Sequence, residues 1–300
     1  MCRRSEGGVQ GQVVIECVNL SYRYEVPGDE WALRDIDLKI GQGEKVVIAG
    51  PAGSGKTTLL QLLDALIIPG KGDILYDGIS VRTLAGKKGL PSVRRRMGVL
   101  FQFPEDQFFQ ETAYDELAFA LRNFFSPREE EIEQKAYSVT QGFGLDMARL
   151  KDTSPFSLSS GEKRKLALAS ALMISPEILM LDEPTAGLDA SGRRELTRMI
   201  YSLADTTVII VTHNQEDFLG LMDRLIGIAA GRIVMDVRKE ELLGKVDAME
   251  QSGINAPLVL LVQHWLRQAG ISFDHTSFEM EDLIGSLKNE IFNIKGQSQS

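Results

Sequence analysis

The stretch KVVIAGPAGSGKTTLLQLL, residues 45 to 63, leaves few folds open to a chain that carries it. Residues 45 to 50 form a short apolar run that stops at glycine, the pattern of a strand buried on both faces of a sheet. A glycine-rich loop comes next, then apolar residues at helical spacing. Strand, loop and helix together give G-x-x-x-x-G-K-[ST] the setting it requires. Glycines let successive backbone N–H groups turn inward, and the helix N-terminus adds partial positive charge. Gly50, Pro51, Ala52, Gly53, Ser54, Gly55, Lys56, Thr57 and Thr58 are therefore expected to cradle the phosphates of a nucleotide. Lys56 would reach the β and γ oxygens, and the Thr57 hydroxyl would ligate Mg²⁺.

The flanking sequence predicts what surrounds that loop. Strands are expected at 12–24, 31–40, 72–78 and 97–102, then a mostly helical region over about 112–170. A helix at 161–174, a buried strand at 177–184, a helix at 190–204, a strand at 207–213, a helix at 215–222 and two strands at 224–229 and 232–236 complete the pattern. Strands alternating with helices imply an α/β fold with a mainly parallel sheet core, to which an antiparallel β subdomain and a helical subdomain are added. Residues 1–11 read as a disordered tail and 12–240 as the nucleotide-binding domain. Residues 241–300 read as a small α-rich extension.

In ILMLDEP, a hydrophobic strand ends in two acids. That puts Asp182 at the carboxyl edge of the sheet, where it can hold Mg²⁺ through water, and leaves Glu183 to polarise an attacking water as general base. Nucleotide hydrolysis is the implied chemistry. A net charge of −9 excludes the chain as a whole from being an electrostatic partner of nucleic acid, although GKKGLPSVRRR at 86–96 is locally basic. Two cysteines, Cys2 and Cys17, without a CxxC pair indicate neither a disulfide framework nor a zinc site, and fit a reducing cytosol. No apolar run approaches the roughly 20 residues of a membrane span, so work at a membrane would need another subunit to cross it.

A phosphate loop alone does not choose among kinases, GTPases, helicases and transport ATPases. The order of Gln102 after a strand, LSSGE at 158–162, LDEPTAGLD at 181–189 and His213 closing a strand closely resembles the ATP-binding cassette (ABC) family. The resemblance implies that Ser159 or Ser160, the Gly161 backbone and the helix behind them contact the γ-phosphate of an ATP held by a second ATPase subunit. Each chain then carries two half-sites that a partner, identical or not, completes. Gln102 resembles the glutamine that touches Mg²⁺ or the attacking water, His213 the switch histidine on the γ-phosphate, and Asp189 the aspartate that crosses the dimer interface. Tyr24 resembles the aromatic that stacks on adenine, with Tyr22 as its competitor.

Two departures from the LSGGQ pattern concern that second half-site. Ser160 replaces a glycine, adding a Cβ that restricts the backbone, and Glu162 replaces glutamine, bringing a carboxylate near a phosphate unless it points away. Lys163, Arg164 and Lys165 are candidates to offset that charge. The segment FQFPEDQFFQETAYDELAFALRN at 101–123 resembles the ATPases of energy-coupling factor (ECF) transporters, the cobalt and vitamin importer group. That likeness implies a peripheral subunit on the cytoplasmic face of the cell membrane, a transmembrane coupling subunit, a separate substrate-binding membrane subunit, and a dimerisation segment within 241–300. Phe103, Phe108 and Phe109 suit either a groove for a partner helix or the packing of the helical region. Two alternatives remain: a weaker cassette that completes a heterodimer, and a soluble ABC ATPase with no transport role.

Overall fold

The computed structural model describes residues 12–25, 31–271, 273 and 275–297, so the tail expected at 1–11 lies outside the described residues. In chain order the elements are β1 (Val13–Tyr22), β2 (Leu33–Gly41), β3 (Lys45–Ala49), α1 (Lys56–Leu63), β4 (Lys71–Tyr76), β5 (Ile79–Ser80), α2 (Val81–Gly86), α3 (Leu90–Arg94) and β6 (Met97–Leu100). Four helices follow: α4 (Ala113–Phe125), α5 (Glu129–Gly142), α6 (Met147–Asp152) and α7 (Ser160–Leu172). The core resumes with β7 (Ile178–Asp182), α8 (Ala190–Ser202), β8 (Thr207–Thr212), β9 (Arg224–Ala229) and β10 (Arg232–Arg238). The chain closes with α9 (Val246–Gln251), α10 (Leu258–Gln268) and α11 (Met280–Gln297).

Six strands form the central sheet in the order β10-β9-β3-β8-β7-β6, and all neighbours are parallel except β9 and β10. Its inner strands are apolar throughout because both faces are covered. Val47, Leu179, Leu181, Val208 and Ile210 point into one core, while Val46, Ile48, Met180, Ile209 and Val211 point into the other. Each such side chain stabilises the sheet by about 1.5–3 kcal/mol on burial. A charge introduced at Met180, which is fully buried, would therefore break the sheet at its centre.

The second core is closed by the antiparallel sheet β2-β1-β4-β5, with Leu59, Leu60, Leu62 and Leu63 of α1 packed in the same cluster. The helix behind the phosphate loop is thus held between two sheets. The first core runs on into the helical region through Leu117, Ile132, Ala136, Leu150, Leu166 and Leu168. It also takes in Leu242, Val246, Met249, Leu260 and Leu283, so the C-terminal extension packs on the same hydrophobic cluster as the sheet.

One local expectation differs from the structure. The helix expected at 215–222 is a single 3-10 turn, Gln215–Phe218. Asn214 Nδ2 donates to Asp217 Oδ2 at 2.9 Å, a short-range bond that competes with helix, and Gly220 interrupts propagation. Within the basic stretch 86–96, which the sequence reads as locally charged, Arg94 Nη2 donates to the Ala65 carbonyl and Arg96 pairs with Asp77 and Glu177, while Lys87, Lys88 and Arg95 are exposed.

Candidate active site

The phosphate loop joins β3 to α1 at the carboxyl edge of the central sheet, where β7 and β8 end beside it. Gly55 has φ +103°, and a Cβ there would fall 2.6 Å from the Ala32 carbonyl, so only glycine fits between loop and β2. Gly50 backs as closely onto β9, where a Cβ would stand 2.0 Å from the Ile228 carbonyl. Pro51, Ala52, Gly53 and Thr57 are exposed, and Ser54, Lys56 and Thr58 are buried. Lys56 Nζ donates to the Gly50 and Pro51 carbonyls, both at 2.9 Å. Burial pulls its pKa below the ordinary lysine range, against the attraction of Glu183 and Asp182.

The pair expected to hold a metal is assembled: Thr57 Oγ1 donates to Asp182 Oδ2 at 2.8 Å across 125 residues of sequence. Asp182 is 1% exposed, and its pKa is raised, chiefly by burial, while the Thr57 hydroxyl opposes the rise. A buried carboxylate with a second acid beside it is costly without a cation. Among the described residues no group of three or more His, Cys, Asp or Glu side chains is arranged to hold a metal. One carboxylate and one hydroxyl suit a hard cation that takes its remaining ligands from water and phosphate, which is how Mg²⁺ is held at nucleotide sites.

Glu183 follows at once and is also buried. Its backbone is left-handed, φ +47°, a conformation that costs about 1–3 kcal/mol in a non-glycine residue unless its surroundings fix it. They do so at every polar atom. The Glu183 N–H donates to the Val211 carbonyl at 2.8 Å. Its carboxylate accepts from Thr212 Oγ1 at 3.0 Å and from the His213 N–H at 2.9 Å, and its Oε1 lies 2.7 Å from His213 Nδ1. His213 is solvent-exposed on its outer side, so one imidazole spans the carboxylate and the open site.

Gln102 lies two residues beyond β6, whose Leu100 is in register with Leu181, and this sets it beside Glu183. Its side chain is exposed and makes no hydrogen bond to Thr57 or Asp182. Tyr24 is 40% exposed and its hydroxyl lies 3.1 Å from Thr58 Oγ1, directly behind the loop. Tyr22 is packed against the second core and meets Tyr24 edge-on. Of the two, Tyr24 is the more exposed ring. Asp189 caps α8, accepting from the Gly192 N–H at 2.8 Å.

The signature residues open α7. Ser159 is the N-cap, and Ser160 and Gly161 are its first helical residues. Ser160 therefore sits in ordinary helical backbone, and the expected restriction from its Cβ does not arise, because the α region admits any residue. Glu162 Oε2 accepts from both the Ser159 N–H and the Ser159 hydroxyl at 2.9 Å, a capping box that turns the carboxylate back onto its own helix start. The lysines and arginine that follow do not offset its charge. Lys165 bonds the Phe143 carbonyl and Glu195, Arg164 turns inward, and the ion pair to Glu162 comes from Arg149 on α6, at 2.6 Å. These contacts hold the Glu162 pKa below the usual range, with the Ser159 backbone bond the largest cause. Neither Arg149 nor the role of Arg164 was read from the sequence; a charged residue in phase with Leu168 on a buried helix face was the available signal for Arg164.

Residues 33–186 match the family described as ABC transporter. The chain belongs to the ABC transporter family. Within it, an energy-coupling factor transporter ATP-binding protein EcfA2 from Thermotoga maritima is 42% identical over 238 residues, covering 78% of this chain and 86% of that protein. The EcfA2 of Clostridium tetani is 35% identical over 286 residues, covering 94% and 98%. Among solved structures, the dimeric MJ0796 bacterial ABC transporter cassette superposes with a TM-score of 0.70 at 27% identity, covering 75% of this chain and 98% of that one. CbiO1 from Clostridium perfringens, described as part of the ABC transporter complex cbiONQ, gives 0.67 at 28% identity, covering 84% and 99%. This ABC chain has no helix, among its described residues, long and apolar enough to cross a membrane.

Proposed function

We propose that the chain is the ATP-hydrolysing subunit of an energy-coupling factor importer. In this reading it works on the cytoplasmic face of the membrane as one half of an ATPase dimer, and powers uptake of a vitamin or a transition-metal ion through transmembrane partners. The observation that carries the reading is the continuous set Thr57–Asp182–Glu183–His213, tied by bonds of 2.7–2.9 Å at the carboxyl edge of one sheet. Names of relatives that match over most of the chain support the transport role.

The chemistry divides among the chain's own groups. Lys56 exchanges the Gly50 and Pro51 carbonyls for the β and γ oxygens of ATP, and the loop N–H groups and the α1 N-terminus hold the phosphates. Thr57 and Asp182 would hold Mg²⁺, with Gln102 within the same edge; the ion supplies charge neutralisation on the phosphates. Glu183 takes the proton of the attacking water, and Thr212 and His213 fix the direction of its carboxylate. Tyr24 stacks on adenine. The first turn of α7 offers Ser159, Ser160 and Gly161 to the ATP of the second ATPase subunit, with Asp189 at the same interface. Hydrolysis removes those γ-phosphate contacts and lets the dimer open.

A groove of about 280 Å³ between β6, α4 and α7, lined by Phe109, Phe119 and Phe124, supports the coupling subunit as partner. Phe109 lines that groove and is more than half exposed, Phe108 lines it from the core side and is buried, and Phe103 is exposed but is not among the groove residues. On α10, Leu258 and Trp265 are exposed apolar residues seven apart, which supports 241–300 as a dimerisation segment. One observation favours the heterodimer alternative: the Ser159 hydroxyl is engaged by Glu162. The deciding experiment is ATP binding, turnover and light-scattering mass of Glu183→Gln. Retained binding with turnover lost and an ATP-dependent dimer supports the base and a homodimer. A persistent monomer that binds ATP points to a sister ATPase, and unchanged turnover removes Glu183 as base.

A further inference from the structure

Arg164 begins on the signature helix and ends beneath the hydrolytic site. Its Nη1 donates to the Glu183 carbonyl at 2.6 Å and its Nη2 to the Gln102 carbonyl at 2.9 Å. The residue is 8% exposed. Burial lowers its pKa from the ordinary arginine value, while the charges of Glu105, Glu183 and Asp182 oppose that shift. A buried guanidinium is costly unless its donors are used. Here they join two loops that reach the site from different strands, β6 and β7.

Glu183 is the residue that most needs such a tie. Its φ is +47°, and its carbonyl accepts from Arg164 and from the Ala186 N–H at 3.1 Å. Ala186 belongs to the same loop, so Arg164 supplies the connection to the helical subdomain. The planar fork holds two carbonyls at a fixed spacing, which a single lysine ammonium does not reproduce. Arg164 also lies little more than one helical turn from Ser159.

We infer that Arg164 is a positioning residue that orients Glu183 and Gln102 from the helix whose first turn is the signature loop, so that the two half-sites of one chain are mechanically joined. A displacement of the signature loop, when it engages the partner's nucleotide, passes along one rigid turn of α7 to the carbonyls of the base and of Gln102. The inference rests on the proposed roles of Glu183 and Gln102.

The test is steady-state ATP hydrolysis by the full-length chain in its extracted transporter complex, with Arg164→Met, Arg164→Lys and Glu183→Gln compared with the unaltered protein well below each melting temperature. Nucleotide affinity of each purified chain is measured in parallel. Arg164→Met keeps much of the volume and loses both donors; kcat is expected to fall about 10- to 100-fold while KM and nucleotide affinity stay within about twofold. Arg164→Lys, which keeps the charge and one donor, is expected to recover part of kcat. A kcat within twofold of the unaltered protein for Arg164→Met, with Glu183→Gln inactive, overturns the inference and leaves the base in place. Full turnover in Glu183→Gln overturns both. If Arg164→Met does not fold, Arg164→Lys decides: reduced kcat at unchanged affinity supports the tie, and unaltered kcat refutes it.

Discussion

Glu162 sets a negative charge into a loop proposed to meet a phosphate, and Arg149 answers it from the neighbouring helix at 2.6 Å. Removing Arg149 should therefore weaken the ATP-bound dimer without touching either phosphate loop. The carboxylate is turned back to the start of α7, 2.9 Å from the Ser159 hydroxyl, so a phosphate contacting the other side of that hydroxyl would be roughly 6 Å away. One unneutralised charge at that distance costs about 0.7–2.8 kcal/mol for an effective dielectric of about 80 down to 20. The ion pair is partly open to solvent, with side-chain exposures of 53% and 30%, which favours the lower part of that range, about 1 kcal/mol. Such a difference is roughly a fivefold change per signature loop.

Glutamine is the informative replacement for Glu162, because it keeps an acceptor for the Ser159 N–H and preserves the cap, whereas alanine would also lose about 1 kcal/mol of helix capping. In a Glu183→Gln background, light scattering across ATP concentrations should show Arg149→Ala weakening the dimer about fivefold per loop and Glu162→Gln leaving it equal or tighter. The decisive arm is the double variant. With the carboxylate gone, Arg149→Ala should have little further effect, and the difference between backgrounds should shrink at high salt. An Arg149→Ala effect of the same size in both backgrounds would refute the electrostatic account.

Ser160→Gly should leave turnover equal or lower, because the serine already occupies unstrained helical backbone; a clear rise would show that its side chain obstructs the partner's nucleotide. Tyr24→Ala should weaken ATP binding by about 1–3 kcal/mol of stacking, and Tyr24→Phe, which loses the hydroxyl contacts to Thr58 and Gln61 but keeps the ring, should stay within about twofold. If Tyr22→Ala alone weakens binding, the base platform is misassigned. Burial pushes Asp64 up to about 7 from 3.8, so the folded state holds a proton that the unfolded state has released, and stability should fall as pH rises through roughly 4 to 7. Asp64→Asn should flatten that slope in melting curves; parallel curves for the two proteins would count against the shift.

The parts of this protein that were legible in its sequence are those whose physics is local. The apolar run at 45–49 and the glycines after it fix strand, turn and helix within about twenty residues, and ILMLD reads as a buried strand because both of its faces are covered. Hence Thr57, Asp182 and Glu183 could be expected at one sheet edge, and the structure brings the first two into contact across 125 residues. The Arg149–Glu162 pair and the Arg164 tie were not readable, since both join residues whose sequence separations, 13 and 19 or 62, carry no periodic signal. Lysine and arginine side chains in a row, such as Lys163–Arg164–Lys165, present the same charge pattern whether they face solvent, a phosphate or a carbonyl. Their direction is set by the helix phase that the Ser159 cap imposes: it sends Arg164 inward with Leu168 and leaves Lys165 to bond Glu195 near the surface. One capping serine thus decides which of three adjacent cations lies under Glu183, the proposed base. A substitution that moves the start of α7 by one residue should consequently disturb hydrolysis in the chain's own site as well as the contact it offers its partner.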